Sequence, residues 1–145
     1  MKKKIFFSIL IIMLCFIITG CKKENNKKEK LVENIDYTVR GYNGSYLDLS
    51  ERGYYIDTLN EPDAPYLYII CMGRKYTGGY SLKIKEVYKI GDKTEVIVNE
   101  NIPPEESIVT QVITYPTIVI EFPKAQENIV IKNTEGVEFP QLSDY

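Results

Sequence analysis

Hydrophobic and polar positions alternate most clearly in the second half of the chain. Tyr80, Leu82, Ile84, Tyr88 and Ile90 share one side of a period-2 pattern, and Ser81, Lys83, Lys85 and Lys89 take the other, with Glu86 interrupting the apolar side. That describes a strand with one face on a core and one face in water. Gly91-Asp92-Lys93 follows as a turn, and Thr94 to Val98 returns with a concentration of β-branched residues. Upstream, Tyr66 to Met72 is apolar and aromatic and reads as a further strand. Downstream, Ile102 to Ser107 reads as a loop, because its two prolines are kept out of any central ladder. Ile108 to Tyr115 and Thr117 to Phe122 read as two strands split by Pro116. In the second of these, Ile118, Ile120 and Phe122 point one way and Thr117, Val119 and Glu121 the other. Asn128 to Lys132 is the last expected strand, with Val137 to Phe139 as a short edge.

The first half speaks less clearly. Ile35 to Val39 suits a strand, Arg40 to Ser45 a turn, and Tyr46 to Leu49 a short strand or one turn of helix. Asp48 to Leu59 is ambiguous. Asn60 to Pro65 is a loop, since each proline disfavours helix at the residue before it. No amphipathic helix follows residue 60. The expected fold class is therefore all-β, a small antiparallel sandwich or open barrel.

The N-terminus has a different character. Lys2, Lys3 and Lys4 precede an apolar stretch from Ile5 to Ile18, and then come Thr19, Gly20 and Cys21. A basic cluster, an apolar segment and small residues describe an export signal. Ile18-Thr19-Gly20-Cys21 also resembles the bacterial lipobox, in which cleavage leaves a lipidated cysteine at the new N-terminus. The alternative is a single-pass helix, but the stretch falls short of the ~20 residues that span a bilayer. Residues 22–30 contain no apolar side chain and read as a flexible tether. The expected organisation is a signal over 1–20, lipid attachment at Cys21 with a tether over 21–30, and one β domain over 31–145. The expected address is the extracytoplasmic face of the cell membrane, held by the lipid.

Charge and composition then remove several functions. The chain has 18 basic and 20 acidic residues, and residues 1–20 hold three lysines and no acid, so the remainder carries a net charge of −5. Nucleic-acid affinity comes mainly from clustered Lys and Arg neutralising phosphates, so nucleic acid is not the expected partner. The absence of histidine excludes Ser-His-Asp and Cys-His catalysis and removes the commonest metal ligand. Cys71 is left without an intrachain partner and reads as a small buried hydrophobe. Asp57, Glu61, Asp63, Glu105, Glu106 and Glu121 lie in or near loops, but scattered surface acids are not an opposed glycosidase pair. Glu105-Glu106 lacks the spaced ligands of a calcium loop, and a wet strand face explains Ser81 better than a Ser-Lys pair with Lys75. The expectation is a non-enzyme with no metal and no cofactor.

The chain reads as organised around Gly73-Arg-Lys-Tyr-Thr-Gly-Gly-Tyr80, a loop between two strands in which Gly78 and Gly79 permit positive φ or close approach. Tyrosines gather around it and its flanks: Tyr54, Tyr55, Tyr66, Tyr68, Tyr76, Tyr80 and Tyr115. They suit a recognition surface, and they equally suit the cover of a sheet.

Gly73 to Ile84, Pro103-Pro104, Thr110 to Pro116 and Val119 to Lys124 together resemble the C-terminal domain of the PrcB protease-complex subunit family, over about residues 65–132. The resemblance implies an exported protein or lipoprotein that accompanies a surface protease. It marks Lys75, Thr77, Gly78, Gly79, Tyr80, Thr114, Tyr115 and Pro116. With Tyr76 at the loop tip, these are the expected partner-binding residues, at one end of the sandwich. A second resemblance, of Tyr76 to Tyr80, is to a loop of chagasin-type protease inhibitors, although the Asn-Pro of that loop is absent here. A cell-wall or carbohydrate-binding module using the tyrosines is the third alternative.

Overall fold

The structure, a computed structural model, describes residues 32–44, 47–58 and 63–143. Its strands are β1 (Val32–Glu33), β2 (Thr38–Arg40), β3 (Arg52–Asp57), β4 (Tyr66–Met72), β5 (Ser81–Ile90), β6 (Lys93–Asn101), β7 (Thr117–Phe122) and β8 (Asn128–Asn133). No helix occurs among the described residues. Two four-stranded sheets, β1-β5-β6-β8 and β2-β7-β4-β3, face each other as a sandwich and do not close into a barrel. The expected all-β class stands.

The main core lies between the sheets. Tyr54, Tyr68, Ile70, Met72, Ile120 and Phe122 from one sheet meet Leu82, Val87, Val96, Val98 and Ile131 from the other. Tyr68 packs edge-on against Phe122, with ring centroids 5.4 Å apart. A second cluster covers the outer side of the β3-β4-β7 sheet, where Tyr55, Leu67, Ile69, Cys71 and Val119 are capped by Tyr42, Leu47, Leu49 and Leu142. β4 is thus buried on both faces. That explains why its sequence is a continuous apolar run and not an alternation.

Several expectations need correction. The hydrophobic register of β5 does not run through to Ile90: a bulge between Ile84 and Glu86 shifts the pairing, so that Val87, opposite Val96, is buried in the main core. Tyr88 turns to the other face and donates to Glu95 at 3.0 Å. Glu86 therefore interrupts nothing; it is exposed on the wet face. β8 also departs from the antiparallel expectation, pairing parallel to β6 from Lys93 opposite Asn128 to Val98 opposite Asn133. β7 delivers the chain to the end where β6 begins, and residues 123–127 cross to the other sheet there.

Ile108 to Tyr115 forms no strand; a single bridge at Thr114 is its whole share of sheet pairing. Leu47 to Leu49 is neither strand nor helix, and Tyr46 lies outside the described residues. The ambiguous stretch resolves into β3. Val137 to Phe139 contributes one bridge, Glu138 to Lys132. The signal segment, Cys21 and the tether lie outside the described residues.

Candidate functional site

Two connections lie at the same end of the sandwich. Residues 73–80 join β4 to β5, and residues 102–116 join β6 to β7. The register makes this unavoidable: Ser81 pairs with Asn101, and Cys71 with Thr117. A structureless connection as long as 102–116 is uncommon above roughly 12–15 residues, and such loops are usually functional or disordered.

This one is fastened. Lys75 and Thr114 donate to each other's carbonyls, both at 2.9 Å, and Gly78 N–H donates to the Thr110 carbonyl at 2.9 Å. Thr114 Oγ1 donates to the Thr77 carbonyl at 3.0 Å. Asn101 Nδ2 reaches the Gly79 carbonyl at 3.1 Å, and Met72 N–H donates to the Pro116 carbonyl at 3.0 Å. The glycines make this fit possible. A Cβ on Gly78 would lie 2.4 Å from Thr110 Oγ1, and Gly79 has φ +90 with Pro103 and Val109 packed around it. The Gly-Gly pair is a seat for the long loop, and neither a hinge nor a plain connection.

With the backbone committed to this seat, apolar side chains are left in water. Tyr76 is 69% exposed and Ile108 fully so, and Ile102, Val112, Ile113 and Tyr115 are also exposed. Monomeric proteins rarely leave a large apolar patch uncovered unless it binds something. Two cations stand in the same loop. The Arg74 guanidinium lies over the Tyr76 ring at 5.6 Å and the Lys75 ammonium over the Tyr80 ring at 5.4 Å. Neither makes a salt bridge among the described residues.

The expected site residues divide by what they do in the fold. Tyr76 and Tyr115 are exposed and free to meet a partner, and Lys75 offers a charge. Thr77, Gly78, Gly79 and Thr114 hold the loops together. Tyr80 packs against the main core, and Pro116 is buried. Of the other tyrosines, Tyr54, Tyr55 and Tyr68 are buried, so for these the sheet-cover reading holds. Sequence reasoning missed Ile102, Ile108, Val112 and Ile113, having placed the last three in a strand. For Ile108, Val112 and Ile113 the available signal was their position between Pro104 and Pro116, in a stretch too proline-bounded for a long central strand.

Residues 66–123 match the family model described as PrcB C-terminal. This segment is similar to a PrcB C-terminal domain. No curated protein and no solved structure matches the chain. The matched segment begins at the first residue of β4 and ends one residue after β7, so it contains both fastened loops and the strands that carry them. β1, β2, β3 and β8 lie outside it.

Other groups in the molecule are occupied. Glu95 accepts from Lys132 at 2.6 Å, Lys93 at 3.0 Å and Tyr88 at 3.0 Å, and the Lys132 hydrogen bond above all holds its carboxyl down at about 2. Glu121 is taken by Arg40 and Thr38. Cys71 is fully buried, which raises its thiol pKa, and its Sγ donates to the Glu51 carbonyl at 3.1 Å. It is a core residue and no nucleophile. Among the described residues no group of three or more His, Cys, Asp or Glu side chains could hold a metal ion.

Proposed function

We propose that this chain is a lipid-anchored, extracytoplasmic, non-catalytic subunit of a protease complex, and that it holds its protease partner through the surface made by residues 73–80 and 102–116. The observation that carries the reading is the apolar display on a fastened support. A loop already ordered by its own hydrogen bonds loses little entropy when a partner covers it, which is the advantage of preorganisation. Tyr76 and Tyr115 are the anchors, and tyrosine is among the residues that dominate such interfaces. Arg74 and Lys75 give the surface a direction, favouring a partner with carboxylates beside its apolar contact. The PrcB C-terminal match supports association with a protease complex, and the lipobox-like Ile18 to Cys21 supports the anchor.

The test is co-purification from membranes with tagged protein, comparing wild type with Tyr76→Ala and Ile113→Asp. The expected result is a protease among the captured proteins, reduced about tenfold or more by each substitution, with melting temperature unchanged. Capture that survives both substitutions would refute the assignment of this surface.

A further inference from the structure

Tyr54, Tyr55 and Tyr68 are all buried, but their hydroxyls fare differently. Tyr55 donates to the Asp48 carbonyl, and Tyr68 accepts from the Gln126 N–H at 3.1 Å. The Tyr54 hydroxyl has no hydrogen-bond partner among the described residues, although Tyr54 is only 6% exposed. Burial pushes its pKa up, and no hydrogen bond offsets the shift. A buried polar group without a partner costs free energy, so each one calls for an explanation. The ring packs in the main core, but the hydroxyl is not sealed there: Tyr54 lines a cleft of about 470 Å³.

The cleft lies in the margin between the edge strands β3 and β8. Beside it the C-terminal segment ties these two edges together. Phe139 N–H donates to the Ile131 carbonyl at 2.8 Å, and Tyr54 N–H donates to the Pro140 carbonyl at 2.9 Å. Between Gln141 and the β5–β6 turn, the margin opens into the cleft. Ile56 and Ile129, both packed against the main core, give it apolar walls. Its polar side chains arrive from separate elements: Tyr54 from β3, Asp92 from the turn, Glu127 and Asn128 from the start of β8, and Gln141 from the C-terminal segment. The volume falls within the range of small-molecule sites. Apart from Asp92 and Lys93, the lining residues lie outside the matched segment 66–123.

The walls restrict what fits. Asp92 and Glu127 bring two carboxylates, while the Lys93 ammonium is turned to Glu95 at 3.0 Å. An anion is therefore repelled. An ammonium group suits the carboxylates but has no lone pair to accept from the Tyr54 O–H. A ligand hydroxyl does both: it accepts from Tyr54 and donates to a carboxylate, or to the Asn128 side-chain oxygen, whose Nδ2 is already committed to Asp92 at 2.9 Å. Ile56 and Ile129 call for C–H surface beside those hydroxyls. We infer that this cleft binds a neutral saccharide, with the Tyr54 hydroxyl as its buried polar contact. Polar side chains scattered over several elements match hydroxyls spread around a ring, whereas a peptide backbone presents its groups at one regular spacing. The loop tyrosines, at the other end of β5, take no part, so the site is independent of the partner surface proposed above.

Isothermal titration calorimetry tests this on the full-length product, extracted from membranes in a detergent without a sugar headgroup. The probes are glucose, galactose, N-acetylglucosamine and maltose, with glucose 6-phosphate and a capped trialanine peptide for comparison. The expected result is binding of at least one neutral sugar with a Kd of about 1 mM or tighter. Tyr54→Phe should weaken it at least about fivefold. The same variant should melt no lower than wild type, because the hydroxyl has no internal partner to lose. Tyr76→Ala should leave sugar binding unchanged. No binding of any neutral sugar at about 10 mM overturns the inference, as does tighter binding of the phosphate or the peptide. Undiminished binding by Tyr54→Phe, or loss of binding in Tyr76→Ala, places the sugar elsewhere and overturns it too. A lower melting temperature for Tyr54→Phe would make the hydroxyl a structural group and refute its role.

Discussion

Lys75 and Thr114 each donate a backbone hydrogen bond to the other, both 2.9 Å long, although they belong to different connections of the sandwich. This one bridge turns two loops into a single element. A loop left free on the far side of β7 would have no reason to keep isoleucine and valine in water. Fastened at Thr114 and again at Thr110, it presents them.

The glycines of this region should rank by what a methyl group would meet. Gly73 has φ +75, and its Cβ would fall 2.9 Å from the Ser50 carbonyl oxygen and 3.0 Å from the Arg52 nitrogen, both backbone atoms. Gly79 combines φ +90 with side-chain neighbours no closer than 3.1 Å. Gly79→Ala should therefore cost about 1–2 kcal/mol and Gly73→Ala more. Urea titration of the two variants gives the order directly, and equal midpoints would contradict it.

Acid should attack the Glu95 cluster within a definite window. Its carboxyl titrates at about 2 in the folded protein, against 4.5 for an unperturbed glutamate. A folded pKa below the unfolded one means that the ionised form is the one stabilised. The contribution is fully present above about pH 4.5 and is lost as pH falls from there towards 2. Glu95→Gln should cost roughly 1–2 kcal/mol at neutral pH and flatten this part of the stability profile. A stability-versus-pH curve that keeps its slope in the variant would assign the acid sensitivity elsewhere.

Arg52 joins the β3 edge to the other sheet and to the C-terminal segment. It reaches Glu100 through Nε at 3.1 Å and Nη2 at 3.2 Å, donates to the Glu138 carbonyl at 2.6 Å, and lies 3.6 Å over the Phe139 ring. Lysine cannot reproduce a fork that is also stacked, so Arg52→Lys should cost about 1–3 kcal/mol. Calorimetry would show a lower melting temperature for this variant. An unchanged value would mean that the contacts contribute nothing net.

Cys71 provides a check on the second core. In the native protein its thiol should be inert to a thiol-modifying reagent, and it should react fully in denaturant. Fast native modification would show that the layer formed by Tyr42, Leu47, Leu49 and Leu142 does not cover the outer side of β4 as described.

The strands that were legible in the sequence are those whose burial is one-sided and regular. Thr117 to Phe122 alternates cleanly, and Ile120 and Phe122 do enter the main core while Val119 enters the second cluster. β5 was legible as far as Ile84. Beyond it the bulge displaces the pattern by one residue, and nothing in Lys85-Glu86-Val87 announces it. β3 was hidden because Gly53, Tyr54 and Tyr55 are buried in succession, on both faces of the strand, which removes the alternation. Ile108 to Tyr115 misled for the opposite reason: its apolar residues imitate a strand but face water. Apolar patterning records burial, and at a contact surface the burying partner is another molecule. The loop pair itself was legible as Gly-Gly and Tyr-Pro. Its seat on Thr110 was not, because a backbone hydrogen bond across so many residues leaves no mark in composition.

Site-specific photocrosslinking from within the long loop tests the central claim most directly. A photoreactive phenylalanine derivative replaces Ile108 in one strain and Lys89, at the far end of β5, in another. After irradiation of intact cells, the crosslinked species are identified by mass spectrometry. The account predicts a protease crosslinked from position 108 and not from position 89. Crosslinks from 108 to lipid, or to the same species as from 89, would contradict it.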